Sequence, residues 1–247
     1  MELSARLAGV ASLAKDAETL ADIGTDHAYL PIWLMQQGTL TKAIAMDINP
    51  GPLARARENI NRYGMQELIK TRRSDGAREL LPGEVDTVVI AGMGGALTVR
   101  ILTDGAKMLA GTKNFILQPQ SEIAGVRRFL HEQGFCIVQE HIVKDDGKYY
   151  FMMKAVRGEQ AAWEDYEYSY GKCLLDQKDA CLWEFLEKEE RKQCQILERL
   201  QAAGAGCPEK TEDARICGRR EEVIGELEKI VRAKARFASD DCETLDR

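Results

Sequence analysis

Ala21-Asp22-Ile23-Gly24-Thr25-Asp26-His27-Ala28-Tyr29-Leu30-Pro31 is the stretch whose reading decides the fold. It closes a short apolar run and leads into another, Ile32-Trp33-Leu34-Met35. Strand, tight loop and helix, in that order, make the first unit of a nucleotide-binding sheet. A dinucleotide fingerprint needs three glycines so that the backbone can lie against a pyrophosphate. This loop has one, Gly24, and two carboxylates, Asp22 and Asp26. An acidic, glycine-poor turn suits a cofactor with an amino group, a ribose and no phosphate, such as S-adenosylmethionine (SAM). The competing reading is a plain strand-to-helix turn with an Asp as N-cap.

Outward from the loop, strands and helices alternate. Residues 2–14 have helical apolar spacing, with Arg6 on the polar side, and read first as a packing helix. Thr19–Ile23 is the first strand, Pro31 suits a first helical position, and Gly38 ends that helix. Ala43–Asp47 is a second strand, and Asp47 stands where a carboxylate reaches ribose hydroxyls in such a sheet. Its other role would be to cap the next helix, but Asn49-Pro50-Gly51-Pro52 serves that better. A helix over 53–63 carries Arg55, Arg57 and Arg62. Ile69–Arg73 is a charged strand, expected near an edge, followed by Ser74-Asp75-Gly76. Asp75 is placed to accept from an adenine amine or to make an ordinary turn.

Val85–Ala91 is a buried strand that runs into Gly92-Met93-Gly94-Gly95, where the backbone can approach a bulky group, and then a helix over 96–109. No Lys-Ser or Lys-Thr follows these glycines, so an ATP loop is not supported. Phe115–Pro119 is a fifth strand, and 123–133 a helix with Arg127 and Arg128. Phe135–Val138 and Tyr149–Val156 are two strands around the turn signal Asp145-Asp146-Gly147. The expected fold is α/β: a doubly wound Rossmann-like sheet of seven strands with the last antiparallel, as SAM-dependent methyl transfer enzymes use.

The chain changes character near Ala161. Tyr166, Tyr168 and Tyr170 lead into helices with Leu182, Leu186, Leu197 and Leu200 on one face, then Ile216, Val223, Leu227 and Ile230 on another. The turn Gly204-Ala205-Gly206-Cys207-Pro208 between them predicts an antiparallel, coiled-coil-like hairpin, with a frayed tail after Phe237. The expected domains are therefore 1–158, catalytic, and 159–247, helical. Residues up to Ala155 hold 18 basic and 18 acidic residues, so the whole net charge of −6 lies beyond them. An acidic total argues against nucleic acid; a neutral first part with clustered arginines weakens that objection. No apolar run is long enough for a membrane span, and the N-terminus lacks the secretory layout, so a cytoplasmic protein is expected. Seven cysteines with no C-x-x-C pair predict reduced thiols and no metal site.

ADIGTDHAYLP (21–31), IAGMGG (90–95), LQP (117–119) and DDGKYY (145–150) together resemble the bacterial tRNA (adenine(22)-N1)-methyltransferase family, closely over residues 2–156. The resemblance implies methylation of adenine N1 in the D-arm region of tRNA with SAM as donor; a monomer is expected. It implies donor contacts by Asp22, Gly24, Asp26, Asp47, Asp75, Gly76, Ala91, Gly92, Met93 and Gly94. Asp26, His27 and Tyr29 would act at the transfer point. Arg6, Gly95, Gln118, Pro119, Tyr149 and Arg127 would contact substrate. Arg55, Arg57, Arg62, Arg72, Arg73, Arg100, Arg127 and Arg128 are candidate phosphate contacts, if several share the face above the strand ends. Three other classes compete. A SAM-dependent methyltransferase could act on another RNA, a protein or a small molecule, and on a protein or small molecule it would keep the cofactor residues but not need the arginines. A nicotinamide oxidoreductase lacks its three-glycine turn. A binding module would use the hairpin alone.

Overall fold

The computed structural model describes residues 1–204 and 214–238. The chain divides into two compact units, Met1–Ala162 and Trp163–Arg247. In the first, β1 (Thr19–Ile23), β2 (Lys42–Asp47), β3 (Ile69–Arg73), β4 (Thr87–Met93), β5 (Asn114–Pro119), β6 (Phe135–Asp145) and β7 (Lys148–Arg157) form one sheet in the order β3-β2-β1-β4-β5-β7-β6. Five strands are parallel, and β7 is antiparallel to both β5 and β6. Only β7 is therefore reversed; β6 runs with the parallel set. Helices α1 (Ala5–Leu13), α2 (Tyr29–Gln36), α3 (Pro50–Arg62), α4 (Gly95–Asp104) and α5 (Ile123–Glu132) complete the unit.

The central strands are covered on both faces, which is why they read as unbroken apolar runs: Val88, Val89 and Ile90 are fully buried. Each such side chain contributes roughly 1.5–3 kcal/mol of burial. β3 is an edge strand, as its charges predict, and exposed Lys70 keeps that edge from pairing with another chain. After β1 the chain builds outward through β2 and β3, then returns to place β4 on the other side of β1. That reversal opens a crevice at the carboxyl ends of β1 and β4.

Several local elements differ from expectation. α2 starts at Tyr29, so Pro31 is its third residue, where an N–H still has no intrahelical partner. Its N-cap is Ala28 in the left-handed region (φ 57), with no side-chain cap, so the Asp-cap reading of the loop fails. α4 stops at Asp104, short of Leu109, because Gly105 caps it and its backbone meets Ala77: a Cβ there would lie 2.7 Å from the Ala77 methyl. β4 runs on through Gly92 to Met93, and its register against β5 shifts by one between Ala91 and Met93. Gly92, at φ +81, is the extra residue of that bulge. The β6–β7 turn has Asp146 (φ 48) and Gly147 (φ 73) in succession, the backbone of a type I′ hairpin. α1 lies close over the hairpin, since a Cβ on Gly9 would stand 2.7 Å from Met152 Sδ.

The second unit contains α6 (Asp165–Tyr170), α7 (Lys172–Asp176), α8 (Ala180–Gly204) and α9 (Ala214–Ala238). Glu164 and Glu167 form a reciprocal capping box at α6. α8 and α9 run antiparallel: Trp183, early in α8, meets Phe237, late in α9, at 5.1 Å between ring centres, and Lys234 pairs with Glu190 at 2.7 Å. Leu182, Leu186, Val223 and Ile230 are buried along the seam. Leu197, Leu200, Ile216 and Leu227 are only partly buried. The expected turn at 205–208 and the tail beyond 238 lie outside the described residues. Among the described residues no helix is long and apolar enough to cross a membrane.

Candidate active site

The crevice at the strand ends has two lobes that meet at Gly24. One, of about 180 Å³, is lined by Arg6, Asp22, Asp26, His27, Tyr29 and Ala91 among others. The other, of about 100 Å³, is lined by Asp47, Asp75, Gly76, Met93, Leu97 and Arg100 among others. The loop between them is fastened to β2: the amides of Gly24 and Thr25 both donate to the Met46 carbonyl at 2.8 Å. Gly24 has φ +83, and a Cβ there would overlap the Met93 side chain. The Thr25 hydroxyl accepts from the Ala28 amide at 3.2 Å, which sets the sharp entry into α2.

Asp22 is 8% exposed. Burial raises its carboxyl to about 6, against the opposing pull of the Thr25 hydroxyl and the Arg6 charge; Asp47 adds a smaller upward push. Asp47 accepts from the Asn49 amide at 2.7 Å and lines the second lobe. Asp75 also faces that lobe, but Arg78 (3.0 Å) and Arg100 (3.3 Å) already hold its carboxylate.

Arg6 is the cation of the first lobe. Its Nη1 donates to Gln118 Oε1 at 2.9 Å, its backbone amide donates to Asp145 Oδ2 at 3.0 Å, and its guanidinium stands 5.9 Å from the Tyr150 ring centre. Gln118 is fully buried, and the same Oε1 accepts from the Gly92 amide at 3.1 Å. The helix that first reads as packing thus also delivers a cation to the crevice, and IAGMGG, LQP and DDGKYY converge on it.

Asp26 Oδ1 accepts from Arg55, with Nε at 3.1 Å and Nη2 closer, while His27 Nε2 stands 3.2 Å from Oδ2. His27 stacks on Tyr29, ring centres 5.0 Å apart and planes at 10°. Asn59 of α3 donates to the His27 carbonyl at 3.1 Å, steadying the loop from below.

The remaining glycines do separate jobs. Gly94 is the N-cap of α4, and Gly95 is pressed against the β5–α5 turn, where a Cβ would lie 2.6 Å from the Ser121 carbonyl oxygen. The amides of Gly95 and Ala96 donate to Ser121 Oγ (3.3 Å) and Glu122 Oε2 (2.9 Å). This helix start is therefore spent internally and offers no phosphate cradle. Gly92, Gly94, Gly95, Gln118 and Pro119 support the crevice without lining either lobe.

One expected contact is corrected. Arg127 is fully buried, with Nε donating to Glu140 Oε1 at 2.7 Å and its guanidinium 5.5 Å from the Phe151 ring centre, so it cannot meet substrate. Tyr149 lies beside Lys144 on the strand face opposite its neighbour, and Tyr150 is the tyrosine over Arg6. The arginines do not share one face. Arg72 is clamped by Glu84 at 2.6 and 2.7 Å, near the start of β4. Arg57 donates to the Thr71 hydroxyl, and Arg73 to the Ile48 carbonyl. Tyr150 and the Asp26–Arg55 pair went unread in the sequence; the only available signals were a tyrosine doublet and an arginine early in the helix after β2.

A family model described as a methyltransferase domain matches residues 3–153. A tRNA (adenine(22)-N(1))-methyltransferase of Bacillus subtilis is 36% identical over 162 residues, which are 66% of this chain and 68% of the relative. The structure of Streptococcus pneumoniae Sp1610 in complex with S-adenosyl-L-methionine is similar at TM-score 0.78 and 29% identity, over 94% of this chain and 99% of that one. So is that of M. capricolum TrmK with S-adenosyl-homocysteine, at TM-score 0.79 and 26% identity, over 96% and 100%.

Proposed function

We propose that this chain, which belongs to the tRNA (adenine(22)-N1)-methyltransferase family, transfers the methyl group of SAM to N1 of an adenine in the D-arm region of tRNA. The observation that carries the proposal is the charge layout of the crevice. A buried carboxylate, Asp22, and a guanidinium, Arg6, share one lobe, and a second carboxylate, Asp47, stands in the other. Asp22 and Arg6 match the ammonium and carboxylate of a methionyl group, and Asp47 matches ribose hydroxyls. The glycine bend between the lobes lets one molecule span both. Arg6 thereby moves from the substrate to the donor side of the site.

Bound SAM supplies an electrophilic methyl on a sulfonium centre. Adenine N1 carries a lone pair, so no side chain has to remove a proton first. The residues must align the two centres at roughly 3 Å and keep water out. Asp26 stands at the lobe that the base must enter, and its carboxylate stabilises the positive charge that grows on the adenine. The His27–Tyr29 stack offers a flat surface beside it for a base. N1 lies on the Watson–Crick edge, so the target is unpaired or turned out of its helix before it reacts. Residues 1–158 form the catalytic domain in this reading, 159–247 a helical substrate guide, and the enzyme is a cytoplasmic monomer that needs no metal.

The deciding experiment is methyl transfer from labelled SAM to unmodified tRNA, with the modified base mapped. Label at N1 of an adenine in the D-arm region is expected, and label elsewhere, or on protein only, rejects the assignment. Asp26→Ala should lower kcat by at least 100-fold with SAM affinity changed only a few-fold; activity that survives within a few-fold removes Asp26 from the chemistry.

A further inference from the structure

Asp26 lines the crevice, yet in the protein alone both of its oxygens are occupied. Arg55 holds Oδ1 and His27 faces Oδ2. A carboxylate neutralised by a guanidinium stabilises a neighbouring cation poorly, because the two charges oppose each other at the reacting centre. We propose that Arg55 is a shared guanidinium: Asp26 holds it in the absence of RNA, and a backbone phosphate of the substrate takes it over, which uncovers the Asp26 carboxylate for transfer. The proposal rests on the reading of the chain as a tRNA methyltransferase.

Three features of Arg55 carry it. First, the guanidinium commits only Nε and Nη2 to Asp26, and Nη1 has no acceptor among the described residues. Nη1 lies 3.9 Å from the place where a side chain on Gly51 would begin, so the missing side chain leaves that flank open. Second, the side chains of Arg55 and Asp26 are 48% and 61% exposed. Water weakens a pair this exposed, so a phosphate that accepts two parallel N–H bonds competes on even terms. Third, a further cation lies at the same end of the sheet. Arg73 sits at the end of β3, where its register partner is Asp47 at the end of β2, and its Nε donates to the Ile48 carbonyl. A phosphate chain that passes Arg73 reaches Arg55 at the rim of the transfer site, so backbone binding and exposure of Asp26 occur together.

The test is binding of unmodified tRNA at several salt concentrations by the full chain and by Asp26→Asn, Arg55→Gln and the double variant. Asp26→Asn keeps the side-chain shape, Arg55→Gln shortens the side chain and removes its charge, and both positions are exposed. Release of Arg55 in Asp26→Asn should tighten tRNA binding by roughly two- to five-fold, the worth of an exposed ion pair. Arg55→Gln should weaken binding and make the slope of log K against log salt shallower by about 0.9, one phosphate contact. In the double variant the gain from Asp26→Asn should vanish. Unchanged affinity in Asp26→Asn, or a gain that persists without Arg55, overturns the proposal. These readouts do not require turnover. Their failure in a protein that still methylates tRNA condemns the sharing alone, whereas a parent protein that neither binds nor methylates tRNA condemns the function itself.

Discussion

Replacing Asp22 by Asn should make the protein more stable and at the same time unable to use SAM. Burial raises the Asp22 carboxyl from an ordinary value near 3.8 to about 6. The folded chain therefore holds this proton more tightly than the unfolded chain, and the ionised side chain opposes folding. That opposition is absent below about pH 4, grows as pH rises from about 4 to 6, and is complete above 6. At 1.36 kcal/mol per pH unit it reaches about 3 kcal/mol. For a chain of this size 1 kcal/mol moves Tm by roughly 2–4 °C, so the full effect is roughly 6–12 °C. Asn keeps the shape and drops the charge. Thermal denaturation from pH 4 to 8 should show Asp22→Asn melting several degrees above the parent at pH 7.5, with the gap closing toward pH 4. SAM should raise the parent's Tm at pH 7.5, less so below pH 6 where the carboxylate that meets the methionyl ammonium is protonated, and should leave the variant unmoved. A variant that melts at or below the parent at pH 7.5, or a gap that stays constant from pH 5 to 8, would refute the reasoning.

Three other outcomes follow from the geometry. Gly24→Ala puts a methyl at φ +83 and against Met93; calorimetry should show a loss of about 1–2 kcal/mol from the backbone alone, and titration should show weakened SAM binding. In the proposed donor site Asp47 accepts from the ribose hydroxyls, so Asp47→Ala should raise the Kd for SAM by about 10- to 100-fold with the fold intact by circular dichroism; an unchanged Kd takes Asp47 out of the donor site. Glu140→Gln leaves the Arg127 charge buried and under-compensated and should cost about 3–5 kcal/mol in urea denaturation. The salt slope of tRNA binding should not change in that variant, since Arg127 meets no phosphate.

Much of this protein was legible in its residues because the signals are local. Alternating apolar runs announced a parallel sheet, since strands buried on both faces must be apolar throughout. The spacing of Asp22, Gly24 and Asp47 announced that they line one crevice, because consecutive parallel strands bring their carboxyl ends side by side. Charge in Ile69–Arg73 announced an edge. What local signals cannot hold is the direction of a long side chain and the identity of a distant partner. Arg127 and Arg128 are neighbours in one helix, yet the turn of the helix buries the first and exposes the second. Glu140, on the next strand, makes that burial tolerable. Asp145 is 139 residues from Arg6 in sequence and accepts its amide hydrogen, a contact that exists only because α1 lies across the β6–β7 hairpin. The sequence by itself determined the layers, the strand ends and the acids placed there, because backbone periodicity and turn chemistry act over a few residues. Only the tertiary structure decided which arginine faces the crevice, which tyrosine covers it and which guanidinium holds Asp26, because those choices depend on packing between segments that are remote along the chain.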